Sequence, residues 1–243
     1  MQKAWSNLVK LFLHFWFPRT CFACGRDLAW NHQAPLCPSC EASLTAPGPL
    51  ICQRCGAVLK SGGAHCYACR GSKTRQYKCA LIRSSFVFNT SSRALVHGLK
   101  YARADYLARY MGKLMGRRFA QHPELAGAEV LVPVPLFPKR GRRRGYNQSE
   151  LLARQLARHI GLPVDTQALA RVRNTVSQTK LNRQGRLQNM AGAFLCKRPF
   201  DIKGKVVLLV DDVATTGATL EGCAQALRAA GAKKVLAYTF ARE

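Results

Sequence analysis

The sequence predicts an α/β fold, a parallel sheet with helices on its faces, set behind a small module held together by metal. Three observations carry this. Short, nearly unbroken apolar runs, Val130-Leu-Val-Pro-Val134 and Lys205-Val-Val-Leu-Leu-Val210, alternate with stretches of helical periodicity, as strands buried on both faces do. Eight of the eleven cysteines lie between Cys21 and Cys69, all in C-x-x-C pairs. The composition then shifts near residue 79, from Cys, Gly and Pro to patterned strands and helices. At 243 residues, 48% of them apolar, the chain can form one large domain or two modest ones and is too apolar for disorder.

Residues 1–20 read as a short helix ended at Pro18. Its apolar side chains, Leu11, Phe12, Leu13, Phe15, Trp16 and Phe17 behind Lys3 and Lys10, are too few to span a bilayer, and no small-residue cleavage site follows. Such a helix either lies at a membrane or partner interface or covers the neighbouring domain. Residues 21–78 are the metal module and a polar linker (GSKTRQYK), and the second domain runs from 79 to 243. It opens with a strand over 80–88. Apolar residues then recur at helical spacing from about Arg93 to Gln121: Leu95, Leu99, Tyr106, Tyr110, Leu114 and Phe119. After the Val130 strand, Gln148 to Ile160 forms an amphipathic helix ended by Gly161 and Pro163. A short strand over 168–172, a polar basic loop over 175–191 expected to be mobile, and a strand from Phe194 follow. The Lys205–Val210 strand, a helix over 220–230 and a strand over 234–240 complete the chain.

The 38 Lys and Arg against 12 Asp and Glu give a formal charge of +26. Two zinc ions on eight thiolates would bring this to roughly +22. Such an excess favours polyanionic partners: nucleic acid, phosphorylated metabolites or an anionic membrane face.

The cysteine spacing is Cys21-x-x-Cys24, twelve residues, Cys37-x-x-Cys40, then Cys52-x-x-Cys55, ten residues, Cys66-x-x-Cys69. Two such knuckles complete one tetrahedral zinc site, so four imply two structural ions, and the segment resembles a double zinc ribbon. Tandem and crossed pairings both fit the spacing. Redox use of the pairs lacks the helix start beside a βαβ unit that it needs, and paired usage implies a reducing cytosol. His65, beside Cys66, is a surface residue on this reading, because eight cysteines already fill two sites.

Residues 206–219 read as a buried strand, two acids (Asp211, Asp212) at its carboxyl end, and a turn of Ala214, Thr215, Thr216, Gly217, Ala218 and Thr219 opening a helix. Ligands of open α/β sheets bind at strand carboxyl ends. Exposed amides and hydroxyls at a helix start suit an anion, while the carboxylates suit the hydroxyls of a sugar diol. No G-x-x-x-x-G-K-[ST] occurs, which argues against an NTPase. The pattern closely resembles the motif with which type I phosphoribosyltransferases bind 5-phosphoribosyl-1-pyrophosphate (PRPP). The resemblance implies that residues 214–219 hold the 5′-phosphate and that Asp211 and Asp212 hold the ribose hydroxyls and form the catalytic pair. Mg2+ would arrive on PRPP rather than in a protein cage.

Two further segments fall in the family's order. The run 133–148, with Lys139, Arg140, Arg142, Arg143 and Arg144, matches a pyrophosphate-binding loop. Arg171, Arg173, Gln178 and Arg183 fall where the family has a hood over the active site. With Lys100-Tyr101, Arg144-Gly-Tyr-Asn-Gln148, Gln178-Thr-x-Leu181 and Asp211-Asp-Val-x-Thr-Thr-Gly217, nearly the whole chain resembles the ComF family of the ComFC or GntX type. That resemblance implies a cytosolic protein, near the inner membrane, acting in uptake and use of single-stranded DNA with a membrane-channel or helicase partner. Lys100, Tyr101, Arg103, Arg142, Arg143 and Tyr146 are the nucleic-acid-binding candidates, since aromatic rings among basic residues suit stacking and phosphate neutralisation. The alternatives are a metabolic phosphoribosyltransferase acting on an unidentified base and a PRPP-sensing regulator. No helix-turn-helix supports the latter, and no residue of the sequence reads a particular base.

Overall fold

The structure is a computed structural model and describes residues 14–70, 77–174, 185, 190 and 192–243. Among these, no helix is long and apolar enough to cross a membrane. The described end of the N-terminal segment leaves Phe15, Trp16 and Phe17 largely exposed, so these three side chains do not cover the neighbouring domain.

The cysteine module is one design used twice. A β-bridge (Thr20–Asp27, then Ile51–Val58) frames the first C-x-x-C of each half. The knuckle closes as Gly25 N donates to Cys21 O and Gly56 N to Cys52 O, both at 2.9 Å. The second pair of each half flanks the start of a short helix, α1 (Pro38–Ala42) or α2 (Tyr67–Arg70).

Strand β1 (Cys79–Val87) leads into helices α3 (Thr90–Tyr101) and α4 (Leu107–Phe119). Asn89 and Ser92 form a capping box at the start of α3. The single periodic stretch expected over 93–121 is thus two helices. The chain breaks at 102–106, where Arg103 takes a left-handed φ of 52° and Asp105 Oδ1 accepts the Tyr106 amide. Leu99 and Leu107 are both fully buried across the break, so the apolar period runs through it undisturbed. Strand β2 (Val130–Pro133) is followed by α5 (Pro138–Arg144), a short helix where a basic loop was expected, with Pro138 in its first turn and Gly145 as its left-handed cap. Helix α6 (Gln148–Ile160) ends at Gly161, as the sequence indicates. Strands β3 (Leu169–Arg171) and β4 (Phe194–Cys196) pair antiparallel, apart from the main sheet.

After α7 (Pro199–Ile202) comes β5 (Val206–Ala214), then α8 (Ala218–Ala229) and β6 (Lys234–Arg242). The main sheet is parallel, in the order β1-β6-β5-β2. Strand β5 continues past the apolar run through both acids, because β6 pairs with it as far as Ala214 opposite Arg242. Ala214 therefore belongs to the strand, and Ala218 and Thr219 to the helix. The turn itself is only Thr215, Thr216 and Gly217.

Alternate residues of β5 and β6 fill two cores. Leu208, Val210, Leu236, Tyr238 and Phe240 face α3, α4 and α6, while Val207, Leu209, Val235 and Ala237 face α8. Each large side chain so buried contributes about 1.5–3 kcal/mol. The ribbon sits astride the outer edge of β1. Ile82 N donates to Arg54 O at 2.8 Å and Val87 N to Thr45 O at 2.9 Å, which covers an otherwise open edge. Leu28, Leu36 and Leu44 join one core, and Cys52, Cys55 and Leu59 join the other.

Candidate anion-binding cleft and metal centres

All four parallel strands end on the same side, and Asp211 and Asp212 lie there, 8% and 3% exposed. Ser149 Oγ donates to Asp211 Oδ1 at 2.7 Å, and Asp212 N donates to the same oxygen at 2.9 Å. Ser149 is placed by the start of α6, where Asn147 Oδ1 accepts its amide and Asn147 Nδ2 donates to Val134 O. Burial first, and the Asp212 charge second, push the Asp211 carboxyl up to about 7, against the opposing pull of Ser149 and Lys100. Lys100 Nζ lies 2.8 Å from Asp212 Oδ2, an ion pair that leaves this buried oxygen without a well-directed hydrogen bond. Burial, the largest single influence, lowers the Lys100 pKa, but the charge and hydrogen bond of Asp212 together with the charge of Asp211 outweigh it and raise the ammonium above its ordinary value.

The turn after β5 has the geometry of an anion cradle. Gly217 has φ +77° and a Cβ there would meet Ile82 Cδ1 at 3.1 Å, so the position requires glycine. It caps α8, whose first-turn amides have no partners within the helix. Thr216 Oγ1 accepts the Ala218 amide at 3.3 Å.

The acids, Ser149, Thr219, Lys100, Arg140, Arg144 and Arg171 line a cavity of about 220 Å³. A larger groove of about 540 Å³ shares Lys100, Tyr101, Arg140 and Arg144 with it and adds Arg103, Lys139, Arg143 and Asn174. Tyr101 is 62% exposed, with the Arg144 guanidinium 5.5 Å from its ring centroid and the His97 ring tilted against it at 4.7 Å. The fold thus gathers sequence-predicted residues from α3, α5, β3, β5 and α8 around one cleft. Arg142 and Arg173 are exposed but line neither cavity. Tyr146 is partly buried and donates its hydroxyl to Leu99 O at 2.6 Å, so it serves as a peg between α3 and the chain before α6. Gln178 and Arg183 lie outside the described residues. The sequence reading missed Ser149, although an Asn two residues before it, at the start of an amphipathic helix, marks a cap that fixes its direction.

The eight cysteines form two quartets, Cys21/Cys24/Cys37/Cys40 and Cys52/Cys55/Cys66/Cys69, with all sulfurs of a quartet within 4.8 Å of one another. The pairing is therefore tandem, and His65 belongs to neither quartet. Cys24 and Cys37 sulfurs are 3.8 Å apart and Cys55 and Cys66 sulfurs 3.7 Å apart. Tetrahedral zinc with bonds of about 2.3 Å requires about 3.8 Å, so both quartets fit the ion. The Ser39 hydroxyl pulls Cys37 down to about 6, and a hydrogen bond from Cys69, with help from Arg242, pulls Cys55 down to about 4. Each quartet thus holds a thiolate ready for metal at neutral pH.

Comparison with known proteins agrees with this architecture. The double zinc ribbon domain matches residues 12–70 and the phosphoribosyl transferase domain matches residues 147–243. The chain is 30% identical to the DNA utilization protein YhgH of Salmonella typhimurium, over 93% of this chain and 97% of that one. It is 30% identical to competence protein F of Haemophilus influenzae (85% and 90% covered) and 29% identical to competence protein ComFC of Bacillus subtilis (90% and 91%). With two zinc-fitting quartets riding on a phosphoribosyltransferase-type parallel sheet, and this likeness along nearly its full length, the chain belongs to the ComF family.

Proposed function

We propose that the protein binds PRPP as its magnesium complex and handles single-stranded DNA in the adjoining groove, in the uptake and use of DNA. The carrying observation is continuity: Lys100, Tyr101, Arg140 and Arg144 line both the acidic-pair cavity and the basic groove. In this reading residues 215–219 take the 5′-phosphate through backbone amides and hydroxyls. Asp211 and Asp212 accept the ribose hydroxyls, and Lys139, Arg140, Arg144 and Arg171 meet pyrophosphate oxygens, with Arg173, Gln178 and Arg183 in the hood. Tyr101 offers a stacking face in the groove that Arg103 and Arg143 also line, and Arg142, exposed on the same helix as Arg143, adds to the positive charge. The names of the relatives point the same way, and the expected setting is the cytoplasmic face of the membrane, beside a DNA channel or helicase.

A second reading, transfer of the phosphoribosyl group to a base, is favoured by one observation. A cavity of about 670 Å³ beneath β3, lined by Leu136, Gln167, Arg171 and Lys197, adjoins the acidic pair through Arg171 and leaves room for an acceptor.

Replacing Asp211 and Asp212 together by Ala is expected to abolish Mg-PRPP binding in calorimetry while zinc content stays at two ions per chain. Undiminished binding would remove the acids from the site. Single-stranded DNA should bind at low salt and weaken about a thousandfold between roughly 50 and 200 mM salt. No affinity at low salt would remove DNA from the account.

A further inference from the structure

The two zinc quartets lie on opposite faces of the sheet and have different neighbours. Cys21 and Cys37 pack among Leu95, Leu99 and Met111 of α3 and α4. Cys52 and Cys55 share a cluster with Ile82 of β1 and with Ala214 and Ala218, at the end of β5 and the start of α8. Two arginines tie this second quartet to the strand, turn and helix that form the anion cradle.

Arg242, the last residue of β6, is 4% exposed. Its Nη2 lies 3.6 Å from Cys55 Sγ, and its Nη1 donates to the carbonyl of Thr215. Among the described residues no carboxylate reaches it, so the thiolate of Cys55 is its anionic partner. Arg54 precedes Cys55. Its Nη1 lies 3.6 Å from Cys69 Sγ, and its Nη2 donates to Cys79 O and pairs with Glu221 Oε2 at 3.6 Å. Glu221 is buried in the first turn of α8 and accepts the amides of Lys78 at 2.6 Å and Cys79 at 3.2 Å. The backbones also touch, because Arg54 O accepts the Ile82 amide and the Ile82 side chain abuts Gly217.

A zinc ion with four thiolates carries about −2, the counter-charge that a buried guanidinium needs. With that charge in place, Arg242 can hold the Thr215 carbonyl and so fix the turn. Without the ion nothing holds the four sulfurs together, so Cys55 can move and the buried guanidinium loses the fixed partner that aims it at Thr215 O.

We infer that the second zinc centre positions the anion-binding turn through Arg242 and Arg54, so that zinc occupancy at Cys52/Cys55/Cys66/Cys69 and ligand binding at residues 215–219 are coupled, whereas the first centre supports only the ribbon's packing on α3 and α4. Arg242 and Arg54 are positioning residues. The ligand half of this coupling rests on the PRPP reading; the conformational half does not.

Amide hydrogen exchange of the full chain tests the conformational half without ligand, with zinc content measured for each variant. Among the described residues the arginines reach Cys69 and Cys55 and make no hydrogen bond to Cys66, so Cys66→Ala perturbs the second centre without removing either contact. Cys66→Ala and Arg242→Gln are expected to speed exchange over residues 215–219 by about tenfold. Arg242→Lys should restore part of the protection, and Cys24→Ala, at the first centre, should leave it unchanged. Unchanged exchange in both second-centre variants, or an equal rise in Cys24→Ala, overturns the inference.

Linkage is reciprocal, so the ligand half has its own readout in wild-type protein. Saturating Mg-PRPP should tighten the affinity for one of the two zinc ions about tenfold, measured by equilibrium competition with a chelator, and Arg242→Gln should abolish that gain. An equal gain at both ions, or a gain that persists in Arg242→Gln, overturns the coupling. The exchange pattern without any heat on adding Mg-PRPP would uphold the positioning and contradict the PRPP reading instead.

Discussion

Asp211 is subject to opposing demands. Its oxygen receives two hydrogen bonds that favour the charged form, yet burial beside Asp212 raises its pKa to about 7. An unfolded aspartate titrates near 3.9, so the folded state binds this proton more tightly. The group's contribution to stability is therefore complete below about pH 4 and is lost as pH rises through about 7. Asp211→Asn should be more stable than wild type at about pH 8, by roughly 1 kcal/mol, with the difference shrinking near pH 5. Thermal melts at both values check this, and a variant destabilised equally at each would contradict it. The acids and the glycine turn were legible in the sequence because they are contiguous and their chemistry is local. Ser149 lies 62 residues from Asp211 and Arg242 lies 187 residues from Cys55, so those partnerships exist only once the fold is assembled.

Among the elements, the apolar centres of the strands and the helix α6 followed from periodicity, since their burial is regular, and Gly161 marks the end of α6. The expected helical stretch over 93–121 shows where periodicity stops being informative. The break at Arg103 preserves the apolar phase and carries neither Gly nor Pro to announce it. The extension of β5 through two acids is set by its pairing with β6, which no pattern within residues 206–214 reveals. The ribbon's hold on β1 can be tested at Gly56. A Cβ there would lie 2.7 Å from Ile82 O at a φ of +68°, whereas Gly25, at +71°, has open space. Gly25→Ala should cost about 1 kcal/mol from its backbone conformation alone. Gly56→Ala should cost roughly 2–3 kcal/mol in denaturant melts, because it also forces the ribbon off the strand. Equal costs would mean that the contact contributes little.

At the scale of the whole molecule, the ribbon spans both faces of the sheet at one edge, and the basic groove opens beside the acidic pair at the strands' carboxyl ends. The charge of +26 points to a polyanionic partner from composition alone, and the motifs follow the chain order of the residues that line the cleft. Composition could not show that groove and cavity share four residues, because α3, α5 and β5 meet only through the parallel topology. A cleft shared by both ligands makes their binding interdependent. Calorimetric titration of the zinc-loaded protein with Mg-PRPP, in the presence and absence of single-stranded DNA, measures that dependence. Mg-PRPP should bind without DNA, with an affinity changed by about tenfold or more when DNA occupies the groove. An affinity that is identical with saturating DNA bound would show two independent sites and contradict the shared cleft.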